Sequence, residues 1–198
     1  MPYLPDPTMS KDIRMITPES VVFLGDSLTH IGWWRKWYPT VQTGNAGWGG
    51  DTTARVLLRL DPILEQKPKK IFLLIGGNDY IAGYPHYMIT AGQRLIIDKI
   101  KMGSPQTELY VQSVFPFGEN IRVYNPAVPP SYVADIRLLN AALKLVCEDR
   151  GVPFLNTYKE MSDPNGYLKR EYTLDQLHLE KPGYDAWVKF LEPYVTAP

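Results

Sequence analysis

The chain has 198 residues and one cysteine, and 21 Lys and Arg balance 21 Asp and Glu, so its formal net charge is zero. That length supports one domain with its own core. The even charge balance gives nucleic acid or an anionic membrane surface no electrostatic handle, and a lone cysteine excludes a disulfide framework within the chain.

Met1 to Arg14 holds three prolines and no apolar run. It reads as neither a secretory leader nor a membrane span, so cytoplasmic residence is the expectation. Residues 1–18 are expected to form an N-terminal arm and residues 19–198 one domain. Val21-Val22-Phe23-Leu24 is a short apolar strand pattern that ends in Gly25-Asp26-Ser27. Trp33, Trp34 and Trp37 follow; Trp34 and Trp37, at i and i+3, read as packing of a first helix. A weaker strand pattern covers Val41 to Ala46. Gly47, Trp48, Gly49 and Gly50 come next, and Asp51 is a plausible N-cap for a helix from Thr52 to Leu64.

Lys67-Pro68-Lys69-Lys70 reads as a solvated turn into a second apolar strand, Lys70 to Ile75, which ends in Gly76-Gly77-Asn78-Asp79. Ile89, Ile96 and Ile100 mark a helix that stops at Gly103. Leu109 to Val114 is a third apolar strand. Phe115 to Tyr132, with Pro116, Pro126, Pro129 and Pro130, has no period and reads either as a functional flap or as a passive crossover. Val133, Ile136, Asn140, Leu143 and Cys147 mark a long helix ending at Gly151, which places Cys147 in the core. A strand over Val152 to Leu155 follows. Tyr184, Trp187, Val188 and Leu191 mark the last helix, with Pro182 in its first turn. Apolar runs without alternation are those of a parallel sheet covered on both faces, so the chain is expected to be a three-layer α/β domain of about five strands.

In such a sheet, ligands bind beyond the carboxyl ends of the strands. Ser27, Gly50 and Asn78 each follow a strand, while Asp175 and His178 lie between the last strand and the last helix. A serine hydroxyl needs a base to become a nucleophile. Of the three histidines, His30 follows too closely on Ser27 and His86 has no carboxylate nearby in the sequence. His178 has Asp175 at i−3, a spacing that can set a carboxylate on the imidazole Nδ1 and leave Nε2 for the serine. The Ser27 N–H and the Asn78 amide are candidate oxyanion donors. Asp26 and Asp79 are either ligands or braces that bond nearby N–H groups. Trp48 and Tyr80 are placed near a substrate.

Gly25-Asp26-Ser27, Gly49-Gly50-Asp51, Gly77-Asn78-Asp79 and Asp175-x-x-His178, in that order from Val21 to about Trp187, resemble the SGNH branch of the GDSL serine esterases. The run Gly49-Gly50-Asp51-Thr52-Thr53 is most similar to the platelet-activating-factor acetylhydrolase-like members. The resemblance implies a flavodoxin-like strand order, a Ser27-His178-Asp175 triad, and an oxyanion hole of Ser27, Gly50 and Asn78. It implies no cofactor and no metal. The substrate would be a small-molecule, carbohydrate or lipid ester, with a slight preference for short acyl groups such as acetyl; a homo-oligomer is compatible but not readable. Two other readings compete: a metal-dependent phosphoesterase, for which three histidines are few, and a non-catalytic binding domain on the same fold.

Overall fold

The computed structural model describes residues 16–197. The expected arm lies outside the described residues except for its last three, of which Ile16 is buried against the core. Val21–Gly25, Thr43–Gly47, Lys70–Leu74, Glu108–Gln112 and Phe154–Leu155 form strands β1 to β5. They pair in parallel in the order β2-β1-β3-β4-β5. Val21 faces Thr43 on one side and Lys70 on the other, so β1, β2 and β3 start level and end at one rim. The chain leaves β1 for one neighbour and returns on the other side, which makes the β1/β3 junction the topological switch point.

Both faces of the sheet are covered, as the unbroken apolar runs require. Val22, Leu24, Ile71 and Leu73 point into one core, while Val21, Phe23, Phe72 and Leu74 point into the other. The first core is roofed by α3 (Thr53–Leu58), α4 (Asp61–Leu64), α6 (His86–Gly103) and α8 (Tyr132–Arg150), through residues such as Val56, Ile63, Ile97 and Leu143. The second is roofed by α1 (Ser27–Ile31), α2 (Trp34–Trp37), α9 (Thr157–Met161) and α10 (Lys181–Val195). Trp34 is its centre, stacked 3.8 Å from Phe23 and edge-on to Trp187 at 5.0 Å. Cys147 is buried, and burial pushes its thiol up to about 12, so it stays a neutral core residue.

Three details differ from expectation. The helix expected over Thr52 to Leu64 is two helices, α3 and α4. Pro62 has no N–H to give and its ring would strike the Leu58 carbonyl, so the first helix ends there. Its N-cap is Thr52, whose side chain accepts from the Arg55 N–H at 3.4 Å, and not Asp51. Lys70 is not in a solvated turn. It is fully buried, and its ammonium donates to the carbonyls of Tyr194 and Ala197 at 3.0 and 2.7 Å, holding the end of α10 against the start of β3.

The segment from Phe115 to Tyr132 is packed along its length. Phe115, Phe117, Ile121, Val128 and Tyr132 are buried, and Ile121–Tyr124 forms the short helix α7. Asn140 of α8 holds the start of the segment with both ends of its amide: Oδ1 accepts from the Val114 N–H at 2.7 Å and Nδ2 donates to the Val114 carbonyl at 2.9 Å. Among the described residues, no helix is long and apolar enough to cross a membrane.

Candidate active site

Ser27 opens α1 directly after β1. Asp26 caps that helix by accepting the Leu28 N–H at 3.0 Å, which turns the chain sharply and leaves the Ser27 N–H outside the helix bonding pattern. The Ser27 Oγ lies 3.0 Å from His178 Nε2, across 151 positions of sequence. His178 Nδ1 lies 2.7 Å from Asp175 Oδ2. The other oxygen of Asp175 accepts the backbone N–H groups of Leu177 and His178 at 3.0 and 2.7 Å. Burial raises the Asp175 pKa, but these hydrogen bonds outweigh it and hold the carboxyl near 2. It is therefore an acceptor at every working pH. The bond to Asp175 in turn raises His178 above the ordinary histidine range, against the effect of burial.

Activity that needs the neutral imidazole has a definite sign. As pH falls through the raised pKa, His178 gains a proton and can no longer accept one from Ser27. The expected result is an acid limb in kcat/KM on an acetate ester, with a midpoint above about 6.5. A rate profile between pH 5 and 9 tests this; a flat profile, or a midpoint well below that value, counts against His178 as base. Asp26, pushed up to about 7 by burial, titrates nearby.

Asn78 sits near the start of α5 (Gly77–Ile81), after β3. Its Nδ2 donates to the Asp51 carbonyl at 2.8 Å, which ties it to the residue after Gly50. One amide hydrogen is thus spent on orientation and the other remains to be used. Gly50 has φ +78, and a Cβ built on it would meet nothing within 4 Å. The backbone conformation favours glycine there, and the space beside it is open.

The remaining sequence candidates are distributed differently. Trp48 is half-exposed on the same loop, with its ring beside His30 at 6.1 Å. Tyr80 is buried one layer behind the rim. Its hydroxyl donates to Asp135 at 2.7 Å and its ring lies 5.9 Å from Phe117, so it joins α5 to α8. Asp79 is buried, and both its oxygens hold the Thr53 N–H at 3.0 to 3.1 Å while one takes the Thr53 hydroxyl at 2.6 Å. Like Asp26, it is bonded as a brace.

Arg59 carries no motif and was not singled out from the sequence. Its Nε donates to the buried Asp51 carboxylate at 2.6 Å and its Nη2 to the Gly25 carbonyl at 3.0 Å. One guanidinium thereby joins the end of β1, two residues before Ser27, to the loop that carries Gly50. His30 reinforces the same loop by accepting the Gly49 N–H on Nδ1 at 3.2 Å. Beside Ser27 lies a small recess. Leu28, Gly77, Asn78, Phe115, Phe117 and Leu177 are among its walls. Among the described residues, no three His, Cys, Asp or Glu side chains cluster as a metal site would need.

The structure brings a hydroxyl, an imidazole and a carboxylate within hydrogen-bond reach of one another, beside a small recess to which Asn78 also contributes. The profile of the GDSL-like lipase/acylhydrolase family matches residues 23–186. The human platelet-activating factor acetylhydrolase IB subunit alpha2 is 30% identical over 173 residues, covering 83% of this chain and 70% of that one. A candidate platelet activating factor from Streptococcus pneumonia superposes with a TM-score of 0.80 at 30% identity, over 91% of this chain and 85% of that chain. A GDSL-like lipase from Bacteroides thetaiotaomicron shares the fold, with a TM-score of 0.78 at 24% identity, over 90% and 88% of the two chains.

Proposed function

The chain belongs to the GDSL-like lipase/acylhydrolase family, and from that premise we propose that it hydrolyses esters of short acyl groups, acetyl foremost, through an acyl-enzyme on Ser27. The observation that carries the reading is the 3.0 Å contact between Ser27 Oγ and His178 Nε2, backed by the 2.7 Å contact between His178 Nδ1 and Asp175. Ser27 attacks the ester carbonyl while His178 takes its proton, and Asp175 holds the imidazole in the tautomer that can do so. Negative charge develops on the former carbonyl oxygen, where the N–H groups of Ser27 and Gly50 and the Asn78 amide donate to it. His178 then gives its proton to the departing alcohol. A water molecule, deprotonated by His178, attacks the acyl carbon and releases the acid and the Ser27 hydroxyl.

The recess supports the acyl preference. Its walls of Leu28, Phe115, Phe117 and Leu177 are apolar, and the recess is small, which suits a short acyl group better than a long chain. In this reading the acyl chain occupies the recess and the leaving alcohol stays on the open side of Ser27. Acetyl-bearing carbohydrates, and lipids with a short acyl chain such as the substrate named for the human relative, share this chemistry. Lysophospholipase or thioesterase action on long acyl chains is the second reading and needs a deeper recess.

A series of nitrophenyl esters tests the proposal. Acetate is expected to exceed hexanoate in kcat/KM by at least about tenfold, since discrimination by a few methylenes in an apolar pocket is of that order or larger. Equal rates across the series would overturn the short-chain preference. No hydrolysis of any member would favour the non-catalytic reading.

A further inference from the structure

We infer that Gln176 is a specificity-determining residue: it latches the segment after β4 to the loop carrying Asp175 and His178, and so sets the width of the recess beside Ser27. The inference rests on the reading of that recess as the acyl site.

Two bonds make the latch. The Gly118 N–H donates to the Gln176 carbonyl at 2.8 Å, and the Asn120 N–H donates to the Gln176 side-chain oxygen at 3.0 Å. The two segments are in close contact, since a Cβ on Gly118 would lie 2.3 Å from Gln176 Oε1. The next residue on each strand of the latch is a wall: Phe117 precedes Gly118, Leu177 follows Gln176, and both line the recess. The separation of those two side chains is therefore governed by the 118–176 contact.

The backbone of Gln176 adds an independent observation. Its φ is +70, in the left-handed region, where a glycine would sit without strain. A strained conformation persists where the surroundings over-determine it, most often at a functional site. Here the turn lets Asp175 receive the Leu177 and His178 N–H groups, and the Gln176 side chain supplies the acceptor for Asn120. Glycine would allow the turn but not the latch. Asparagine, more tolerant of this backbone, is one methylene shorter.

The test compares kcat/KM for nitrophenyl acetate and hexanoate, with rates expressed per site titrated by a fluorophosphonate. Gln176→Gly retains the turn and the backbone bond but removes the side-chain acceptor. The acetate-over-hexanoate ratio is expected to fall by about tenfold, with a thermal midpoint equal to or above that of the parent, since the strain is relieved. Gln176→Glu, which retains an acceptor at the same reach, should keep the ratio within about twofold of the parent. Gly118→Ala, which displaces the Gln176 amide from the other side, should lower the ratio as Gln176→Gly does. A ratio unchanged in both Gln176→Gly and Gly118→Ala overturns the latch. Failure of the underlying reading looks different: the parent itself would resist the fluorophosphonate or show no preference for acetate, which overturns both.

Discussion

Ser27→Ala is expected to lower kcat on an acetate ester by about five to six orders of magnitude, the scale on which a serine nucleophile and its base act as one unit. The Ser27 Oγ is 3.0 Å from the only imidazole nitrogen placed to take its proton among the described residues, and Asp175 already occupies the other nitrogen of that ring. Removing Oγ leaves His178 nothing to activate but water. The fold should tolerate the change. Ser27 begins α1 but its side chain is not the cap, because Asp26 is. The lost hydrogen bond is worth about 1 kcal/mol, so the thermal midpoint should move by a few degrees at most. Adding His178→Ala to Ser27→Ala should cost little more than either change alone, since a unit already broken cannot be broken twice. Covalent labelling separates this from a general loss of structure: a fluorophosphonate should modify the parent and spare Ser27→Ala. Labelling that persists at another residue would reject the nucleophile assignment.

Asn78→Ala carries the second large effect, a fall in kcat of about 10²- to 10³-fold, equivalent to about 2.7–4 kcal/mol of transition-state stabilisation. The amide is anchored by its bond to the Asp51 carbonyl at 2.8 Å, which leaves its second hydrogen for the proposed oxyanion. In the proposed role it donates to charge that exists only once the carbonyl has been attacked. The loss should therefore appear in kcat, with KM nearly unchanged. Asn78→Asp is the sharper variant, because it keeps the shape and replaces a donor by an acceptor. It should be at least as impaired as Asn78→Ala. A kcat within about threefold of the parent for Asn78→Ala, well short of what removal of an oxyanion donor costs, would make Asn78 a brace for the Asp51 loop. Affinity for a boronic acid that forms a tetrahedral adduct on Ser27 offers a second measure, and should fall in step with kcat/KM.

Much of the fold can be read from short stretches of chain. The runs Val21 to Leu24 and Lys70 to Ile75 are apolar without alternation, and they are the central strands with both faces buried. The helix from Tyr132 to Arg150 stops at Gly151 as its pattern requires. The Thr52 to Leu64 reading erred by treating Pro62 as a late residue of one helix when it is an early residue of the next. The Lys70 reading erred because a lysine that closes a run with Lys67 and Lys69 looks solvated. What buries it is the end of α10, more than a hundred residues away.

The site divides along the same line. Ser27, Gly50, Asn78, Asp175 and His178 were each marked by neighbours within a few positions, since a turn after a strand, a donor-bearing amide and an Asp three residues before a His are local patterns. Arg59, Gln176, Phe117 and the burial of Tyr80 had no such mark. Each depends on a contact made across the fold: Arg59 with the end of β1, Gln176 with Gly118 and Asn120, Tyr80 with Asp135.

By itself, then, the order of residues determined the central strands, the long helices and the candidate reactive groups, because backbone propensity, burial pattern and side-chain reactivity are properties of a residue and its near neighbours. The distance from Ser27 to His178, the brace of Arg59 and the width of the recess beside Ser27 were decided only when the chain packed around the sheet. Those quantities are separations between segments far apart in the chain, and only packing sets them.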